Sequence, residues 1–254
     1  MLRRALSHPN APLVVGAALG IATTAAYLIG SGRSFGYDAA ATFGNFVATP
    51  NLIDAFAVHS AMPSMPLKSI ASNDHVFLSL ISHVIYSLTG SRSEVVYRLV
   101  PALAAGGTVA VSATVLAKRF GLLAGACAGI FIATNPLFVE NSRDLRGYSL
   151  AALLALLATL ILAAGTWNRR RMVWYGLLFG LAIATHVFVI VVLAGHVVWI
   201  AMRRSRQDIK RFLPAWVAAL AIGVGLPLRE SSDDQPGRSG LSKIRDRAFD
   251  IRKR

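Results

Sequence analysis

The sequence predicts an all-α fold, a polytopic transmembrane helical bundle of about seven spans with one short interfacial or re-entrant helix. The chain of 254 residues is 55% hydrophobic and only 15% charged, and its mean hydropathy is +0.56. That composition lies outside ordinary globular usage. The apolar residues stand in blocks of about 15 to 20, the length that a helix needs to cross the hydrocarbon core. Backbone groups in lipid must bond within their own segment, so these blocks are predicted to be helical.

The basic residues do not indicate nucleic-acid binding, although the formal net charge is +14. They form short clusters beside apolar runs, without the sustained basic face or aromatic platform that nucleic acid requires. We interpret them as topology signals in a protein whose surroundings are the lipid bilayer. The single cysteine, Cys127, excludes an intramolecular disulfide framework.

The first apolar run, residues 11–31, follows the basic pair Arg3-Arg4. At about twenty residues, the run is too long for the apolar region of a cleaved signal peptide. It predicts an uncleaved signal-anchor helix with a cytoplasmic N-terminus.

Eight apolar segments in all are candidate helices, at 11–31, 76–90, 96–117, 121–139, 147–166, 172–185, 187–202 and 212–228. Lys and Arg in short loops mark the cytoplasmic side. We assign four clusters to that side: Arg3-Arg4, Lys118-Arg119, Arg169-Arg170-Arg171 and 203–211. If every segment crossed, Lys118-Arg119 would fall outside, so one segment is predicted not to span.

The segment predicted not to span is 76–90, an interfacial or re-entrant helix of about fifteen residues. Its polar side chains recur on one helical face, at His75, Ser79, His83 and Tyr86. The alternative is that 76–90 spans, in which case either a later basic cluster breaks the positive-inside rule or a later segment fails to span.

Two later segments, 172–185 and 187–202, are also short. They form either a tight hairpin with Thr185-His186 at its outer tip or one long helix. After residue 228 the chain turns polar and loses its apolar periodicity, which predicts a transmembrane domain at 1–228 and a disordered tail at 229–254.

Acidic residues gather on the predicted outer face. Six of the seven before position 229 fall in outer loops, namely Asp38, Asp54, Asp74, Glu94, Glu140 and Asp144. Carboxylates contribute little to topology. Their position therefore indicates either a polar site on that face or a chance distribution in a small sample.

The first candidate for chemistry is Asp38, in the loop after the first helix. A carboxylate at the membrane surface can act as a general base on an acceptor hydroxyl, or bind a metal ion that neutralises a phosphate. The alternatives are a solvated acid or an N-cap for a helix that begins near Ala39.

The second candidate is the run Asn73, Asp74 and His75 at the start of the 76–90 helix. A helix N-terminus attracts anions, and Asp or His there can ligate a divalent ion. A divalent metal at Asp38, Asp74 and His75 is therefore compatible with the sequence, although no cofactor is required by it. The alternative is capping of the helix by Ser72, Asn73 or Asp74.

The third candidate is a polar connection that contains Arg143, Asp144, Arg146 and Tyr148. Arginines at a membrane surface can bind a lipid-linked phosphate. The alternative is a self-neutralising patch, in which Asp144 pairs with Arg143 or Arg146.

The fourth candidate is His186, between two apolar segments. An ionisable residue at membrane depth is a functional hypothesis. The alternative is a histidine that is hydrogen-bonded at a helix junction.

Taken in order, these elements resemble the membrane-embedded GT-C glycosyltransferases, in particular the bacterial branch related to protein O-mannosyltransferases and to the aminoarabinose transferase of lipid A. Asp38 is similar to that family's loop-one aspartate, and Asn73-Asp74-His75 stands where the family often has a short polar element before an apolar helix. Three further stretches are similar to family motifs, namely Arg98-Leu99-Val100-Pro101, the run from Ser142 to Leu150, and Ala184-Thr185-His186-Val187-Phe188. The resemblance covers residues 10–228.

The resemblance implies that a sugar passes from a polyprenyl-phosphate donor to an acceptor, of a kind it leaves open, on the outer face of a bacterial plasma membrane. It implies that Asp38 is the base and that Arg143 and Arg146 contact the donor phosphate. Further substrate contacts are implied at Asn73, Asp74, His75, Asp144, Tyr148 and His186.

Two departures limit the resemblance. Ala39 stands where the family usually has Glu, and the chain is similar to only the N-terminal half of the family's members. The first rival interpretation is therefore a truncated, inactive remnant whose reading frame was lost near Leu228. The second is a small transporter-like helical bundle, which predicts ionisable residues inside the spans.

Overall fold

The computed structural model describes residues 8–29, 34–52, 75–165, 167–203 and 206–225. These residues are 84% helical and contain no strand, which confirms the all-α prediction for this part of the chain. The predicted tail at 229–254, the residues Asn73 and Asp74, and the acid Asp54 lie outside the described residues.

The described helices are, in chain order, α1 (Ala11–Ile29), α2 (Tyr37–Thr42), α3 (Val76–Thr89), α4 (Glu94–Phe120), α5 (Leu122–Thr134), α6 (Pro136–Ser142), α7 (Tyr148–Ala163), α8 (Arg169–Thr185), α9 (Val189–Arg203) and α10 (Arg206–Gly225). One turn of wider π-helix, Phe43–Val47, continues α2. The main core lies between α7, α8, α9 and α10, with Tyr175, Phe179 and Phe212 among its fully buried side chains.

Two of the described helices, α1 and α4, are long and apolar enough to cross a membrane, and α5 with α6 makes a third if this bent pair is one span. The prediction of about seven spans is therefore not supported by helix length and composition. The apolar helices α3, α7 and α9 have 14, 16 and 15 residues. At about 1.5 Å per residue, they are roughly 21 to 24 Å long, against about 30 Å of hydrocarbon.

Helices α1 and α4 pack closely because small residues face each other. A Cβ atom added to Gly20 would lie 2.6 Å from the carbonyl oxygen of Gly106, so the two backbones are in contact there. Thr24 donates a hydrogen bond from Oγ1 to the carbonyl of Ala102, at 3.3 Å. Close backbone approach with interhelical hydrogen bonds is the usual packing of membrane helices.

The predicted segment 121–139 is interrupted. Helices α5 and α6 meet at 61°, because Asn135 has extended backbone and Pro136 begins the next helix. The residue before a proline is driven out of the helical region, and the Asn135 side chain accepts a hydrogen bond from the Phe138 amide, which caps α6.

The region 172–202 forms two helices, so the alternative of one long helix is wrong. The break falls at His186, whose φ of −158° and ψ of 115° are extended. The His186 amide still donates to the Ala182 carbonyl and closes α8.

Helix α3 directs its polar residues into the protein. Ser79 and His83 are buried, and a carbonyl can only accept, so His83 donates from Nδ1 to the Val47 carbonyl at 3.0 Å. The face predicted from their spacing is therefore the packed face of the helix.

Candidate functional site

The loop between α6 and α7, residues 143–147, brings predicted site residues from distant parts of the chain together. Arg146 Nη2 lies 2.5 Å from Asp38 Oδ2, across 108 positions of sequence. The two side chains are about a third exposed, so the pair stands at the surface of the site. A charge-assisted bond of this kind is short and directional.

Asp38 lies in the first turn of α2, which begins at Tyr37 with Gly36 as its N-cap. The predicted alternative, that Asp38 caps a helix beginning near Ala39, is therefore wrong. An acid in the first turn is favourable there because the N-terminal amides carry partial positive charge.

The arginine nearest to Asp144 is Arg98 of α4. The predicted self-neutralising patch, in which Asp144 pairs with Arg143 or Arg146, is therefore wrong. Asp144 Oδ1 accepts from the Leu145 amide at 3.0 Å and lies 4.0 Å from Arg98 Nη2. Its Oδ2 lies 3.1 Å from where a Cβ on Gly36 would stand. Neighbouring side chains in a non-helical loop point to different partners, so Asp144 reaches α4 whereas Arg146 reaches α2.

Arg143 lies against α1. Its Nη2 donates to the Ala26 carbonyl at 3.2 Å, and its guanidinium carbon lies 5.6 Å from the centre of the Tyr27 ring. A cation at the last carbonyls of a helix is favourable. The predicted phosphate contact Arg143 thus stabilises the end of α1 in this structure.

Three further predicted residues form an aromatic cluster beside the same loop. The ring centres of Tyr148 and His186 are 4.4 Å apart, and those of His75 and His186 are 5.5 Å apart and stacked. His75 and Tyr148 meet edge to face at 5.6 Å. The structure therefore brings together the start of α3, the start of α7 and the end of α8.

The position of His75 is fixed by a backbone contact. Its Nδ1 lies 3.0 Å from the Thr185 carbonyl oxygen, and because that oxygen can only accept, Nδ1 carries the proton and Nε2 the lone pair. Gly147 packs against both residues: an added Cβ would lie 2.7 Å from the Thr185 oxygen and 3.0 Å from His75 Cγ.

Burial controls the protonation of the two histidines. Desolvation lowers the pKa of His75 to about 4; the hydrogen bond to Thr185 opposes this, His186 and Arg146 add smaller lowering effects, and Asp38 has a small raising effect. Burial also lowers the pKa of His186. Both rings are therefore neutral near pH 7, so His75 offers a hydrogen-bond acceptor at Nε2 instead of a positive charge.

Arg98 belongs to the site but is missing from the predicted site residues. It is 4% exposed, lies 3.3 Å from Glu94 across one turn of α4, and contacts Asp144 as described above. Its sequence signal is the i, i+4 pair Glu94 and Arg98 at the start of an apolar helix. Nothing in the sequence placed Asp144 beside it.

The described residues do not fit a metal centre by themselves. Among them, no three His, Cys, Asp or Glu side chains form a group that could hold a metal ion. Of the three residues that the sequence offered, Asp38 is held by Arg146 and His75 uses Nδ1 on Thr185. The third, Asp74, lies outside the described residues.

An open, mainly apolar groove of about 380 Å³ begins at Tyr148 and follows the bend between α5 and α6. Its other lining residues are Phe131, Ile132, Asn135, Leu137, Phe138 and Asn141. Tyr148 therefore stands between the groove and the histidines.

No protein-family model matches the chain, and no curated protein or solved structure matches it.

Proposed function

We propose that the chain is a membrane-embedded glycosyltransferase of the GT-C type, acting at the outer face of a bacterial plasma membrane. It transfers a sugar from a polyprenyl-phosphate donor to an acceptor hydroxyl. The observation that carries the proposal is the contact between Asp38 and Arg146, because it joins a carboxylate to a guanidinium at one surface. These are the general base and the phosphate anchor that this transfer needs.

In the proposed reaction, Arg146 exchanges its bond to Asp38 for bonds to the donor phosphate. The freed carboxylate of Asp38 accepts the proton of the acceptor hydroxyl while that oxygen attacks the anomeric carbon of the sugar. The bond between the anomeric carbon and the phosphate oxygen breaks, and polyprenyl phosphate leaves with the electron pair. The rings of Tyr148 and His186, 4.4 Å apart and partly exposed, supply an aromatic surface beside the loop that carries Arg146.

The proposal includes the multi-pass arrangement with α3 lying along the outer surface. The contacts at both ends of α3 support this. His75, before the helix, stacks on His186, whereas Ser91, after it, accepts a hydrogen bond from Tyr97 in the first turn of α4. The start of α4 also carries Arg98, which lies 4.0 Å from Asp144, and His75 packs against Gly147. Both ends of α3 therefore lie near the loop at residues 143–147.

Replacement of Asp38 by Asn tests the proposal. Membranes that contain the chain supply the native acceptors, and transfer is followed by the loss of label from a radiolabelled polyprenyl-phosphate sugar. Because Asn keeps the shape but cannot accept the proton, we expect the rate to fall by at least about 100-fold. Glu140→Gln, which removes an exposed acid near the same loop, is the matched control and keeps wild-type transfer.

Expression and detergent extraction of both variants are compared with wild type, so that loss of fold is separated from loss of chemistry. Full transfer by Asp38→Asn contradicts the proposed base. A well-folded wild type that consumes no donor contradicts the enzyme and favours the inactive remnant.

A further inference from the structure

Arg98 is a buried cation held between two carboxylates. It is 4% exposed, and its Nη2 lies 3.3 Å from Glu94 and 4.0 Å from Asp144. An arginine is always charged, and burying a charge is strongly unfavourable unless partners compensate for it. Glu94, in the same helix, already compensates the charge of Arg98. The second contact, with Asp144 in a distant loop, therefore needs a different explanation.

The guanidinium of Arg98 touches both loops of the site. Its carbon lies 4.9 Å from the centre of the Phe35 ring, within the range of a cation–π contact. Phe35 precedes Asp38 by three positions, and Asp144 precedes Arg146 by two. Arg98 therefore contacts each loop just before the residue that enters the Asp38–Arg146 pair.

The two loops also touch each other at this point. Asp144 Oδ2 lies 3.1 Å from the Cβ position of Gly36, and Oδ1 accepts from the Leu145 amide. The carboxylate is thus fixed to its own backbone one residue before Arg146. A displacement of the Asp144 carboxylate therefore also moves the backbone that carries Arg146.

We propose that Arg98 is a positioning residue, which fastens the loop before α2 to the loop before α7 and thereby sets the contact between Asp38 and Arg146. Its importance for catalysis rests on the proposed function, whereas its effect on the contact does not. Arg98 itself acts through Phe35 and Asp144 and does not touch the reacting atoms.

A cross-linking experiment measures the contact without any sugar transfer. In an Arg146→Lys parent, a water-soluble carbodiimide joins the Asp38 carboxylate to the amine introduced at position 146 when the two are in contact, and mass spectrometry of the peptide pair gives the yield. We expect Arg98→Gln in this parent to lower the yield about fivefold, as for coupled neighbouring sites. Arg98→Lys restores most of it, because a cation returns to the same place.

Two further variants keep the result interpretable. Asp144→Asn retains the acceptor for the Leu145 amide but loses the charge that faces Arg98, and we expect it to lower the yield in the same direction. It serves as the second test if Arg98→Gln does not fold. Arg92→Gln removes an exposed arginine just before α4 and leaves the yield unchanged.

An unchanged yield in Arg98→Gln or in Asp144→Asn overturns the proposal. So does a parent that forms no product, since Arg98 would then have no contact to set. Failure of the enzyme hypothesis looks different: the wild type transfers no sugar, while the yields still depend on position 98. If both proposals hold, Arg98→Gln also lowers kcat, and Arg98→Lys recovers it.

Discussion

At the residue scale, the neutral state of His75 makes a contribution to stability that depends on pH. Burial lowers its pKa from 6.5 to about 4, so between these values the unfolded chain binds a proton that the folded chain does not bind. Stability therefore falls as the pH drops from 6.5 towards 4, by at most roughly 3 kcal/mol from this group. Below pH 4 His75 is protonated in both states, so this group causes no further loss of stability.

The expected result is a smaller acid destabilisation in His75→Gln than in wild type, measured by thermal unfolding in detergent at pH 7, 5.5 and 4. Gln retains a donor for the Thr185 carbonyl, so the fold survives. His186 adds an effect of the same sign, and the difference between the two proteins isolates His75. His8→Gln, at an exposed position, is the control. Equal acid sensitivity in His75→Gln and wild type contradicts the prediction.

The residue types of the site were predictable, but their partners were not. Asp38, Arg146, Tyr148 and His186 are predicted because a carboxylate, an arginine and aromatic residues stand beside apolar runs, and the structure brings them together around one loop. Which arginine meets which acid depends on loop directions that no local pattern encodes. For this reason Arg98 is absent from the predicted site residues, although its i, i+4 spacing to Glu94 and its place in the stretch Arg98-Leu99-Val100-Pro101 are visible in the sequence.

At the element scale, the junction between α7 and α8 depends on the absence of a side chain at position 147. An added Cβ would lie 2.7 Å from both the carbonyl oxygen and Cγ2 of Thr185 and 3.0 Å from His75 Cγ. Because two of these atoms belong to backbone or to a packed ring, Gly147→Ala forces the helix ends apart. We expect a loss of about 1–3 kcal/mol, as for other overpacked sites.

Thermal unfolding of Gly147→Ala in detergent checks this expectation. The matched control is Gly195→Ala, in the middle of α9, where an added Cβ meets nothing within 4 Å. Alanine favours a helix over glycine by about 1 kcal/mol, so the control keeps or gains stability. A melting temperature for Gly147→Ala at or above that of wild type contradicts the tight junction.

Most apolar runs, short as well as long, predicted a helix to within about three residues: the run 76–90 corresponds to α3 (Val76–Thr89) and the run 96–117 to α4 (Glu94–Phe120). The bounds of α1 and α4 follow from their hydrophobic lengths, and α1 ends within two residues of the predicted 11–31. The bend before Pro136 was missed, although an Asn-Pro pair inside an apolar run is a recognised helix boundary. The sequence leaves the break at His186 open because periodicity alone does not distinguish one long helix from a hairpin.

At the scale of the whole molecule, the long helix α4 carries an ion pair at its start and two basic residues at its end. Its first turns carry Glu94 and Arg98, which join the site, and its last turn carries Lys118 and Arg119. At about 1.5 Å per residue its 27 residues extend roughly 40 Å, enough to cross a bilayer. Since basic residues mark the cytoplasmic side, the proposed orientation puts the site outside the cell.

Thiol labelling of intact cells tests this orientation. In a Cys127→Ser background, exposed positions are changed singly to cysteine, with Ser93 and Glu140 at the site end and Phe120 and Ala164 at the other. These choices leave Lys118 and Arg119 in place. An impermeant maleimide labels the first two in intact cells, and labels the other two only after permeabilisation. The reverse pattern would put Asp38 and Arg146 in the cytoplasm, whereas equal labelling of Ser93→Cys and Phe120→Cys would mean that α4 does not cross the membrane.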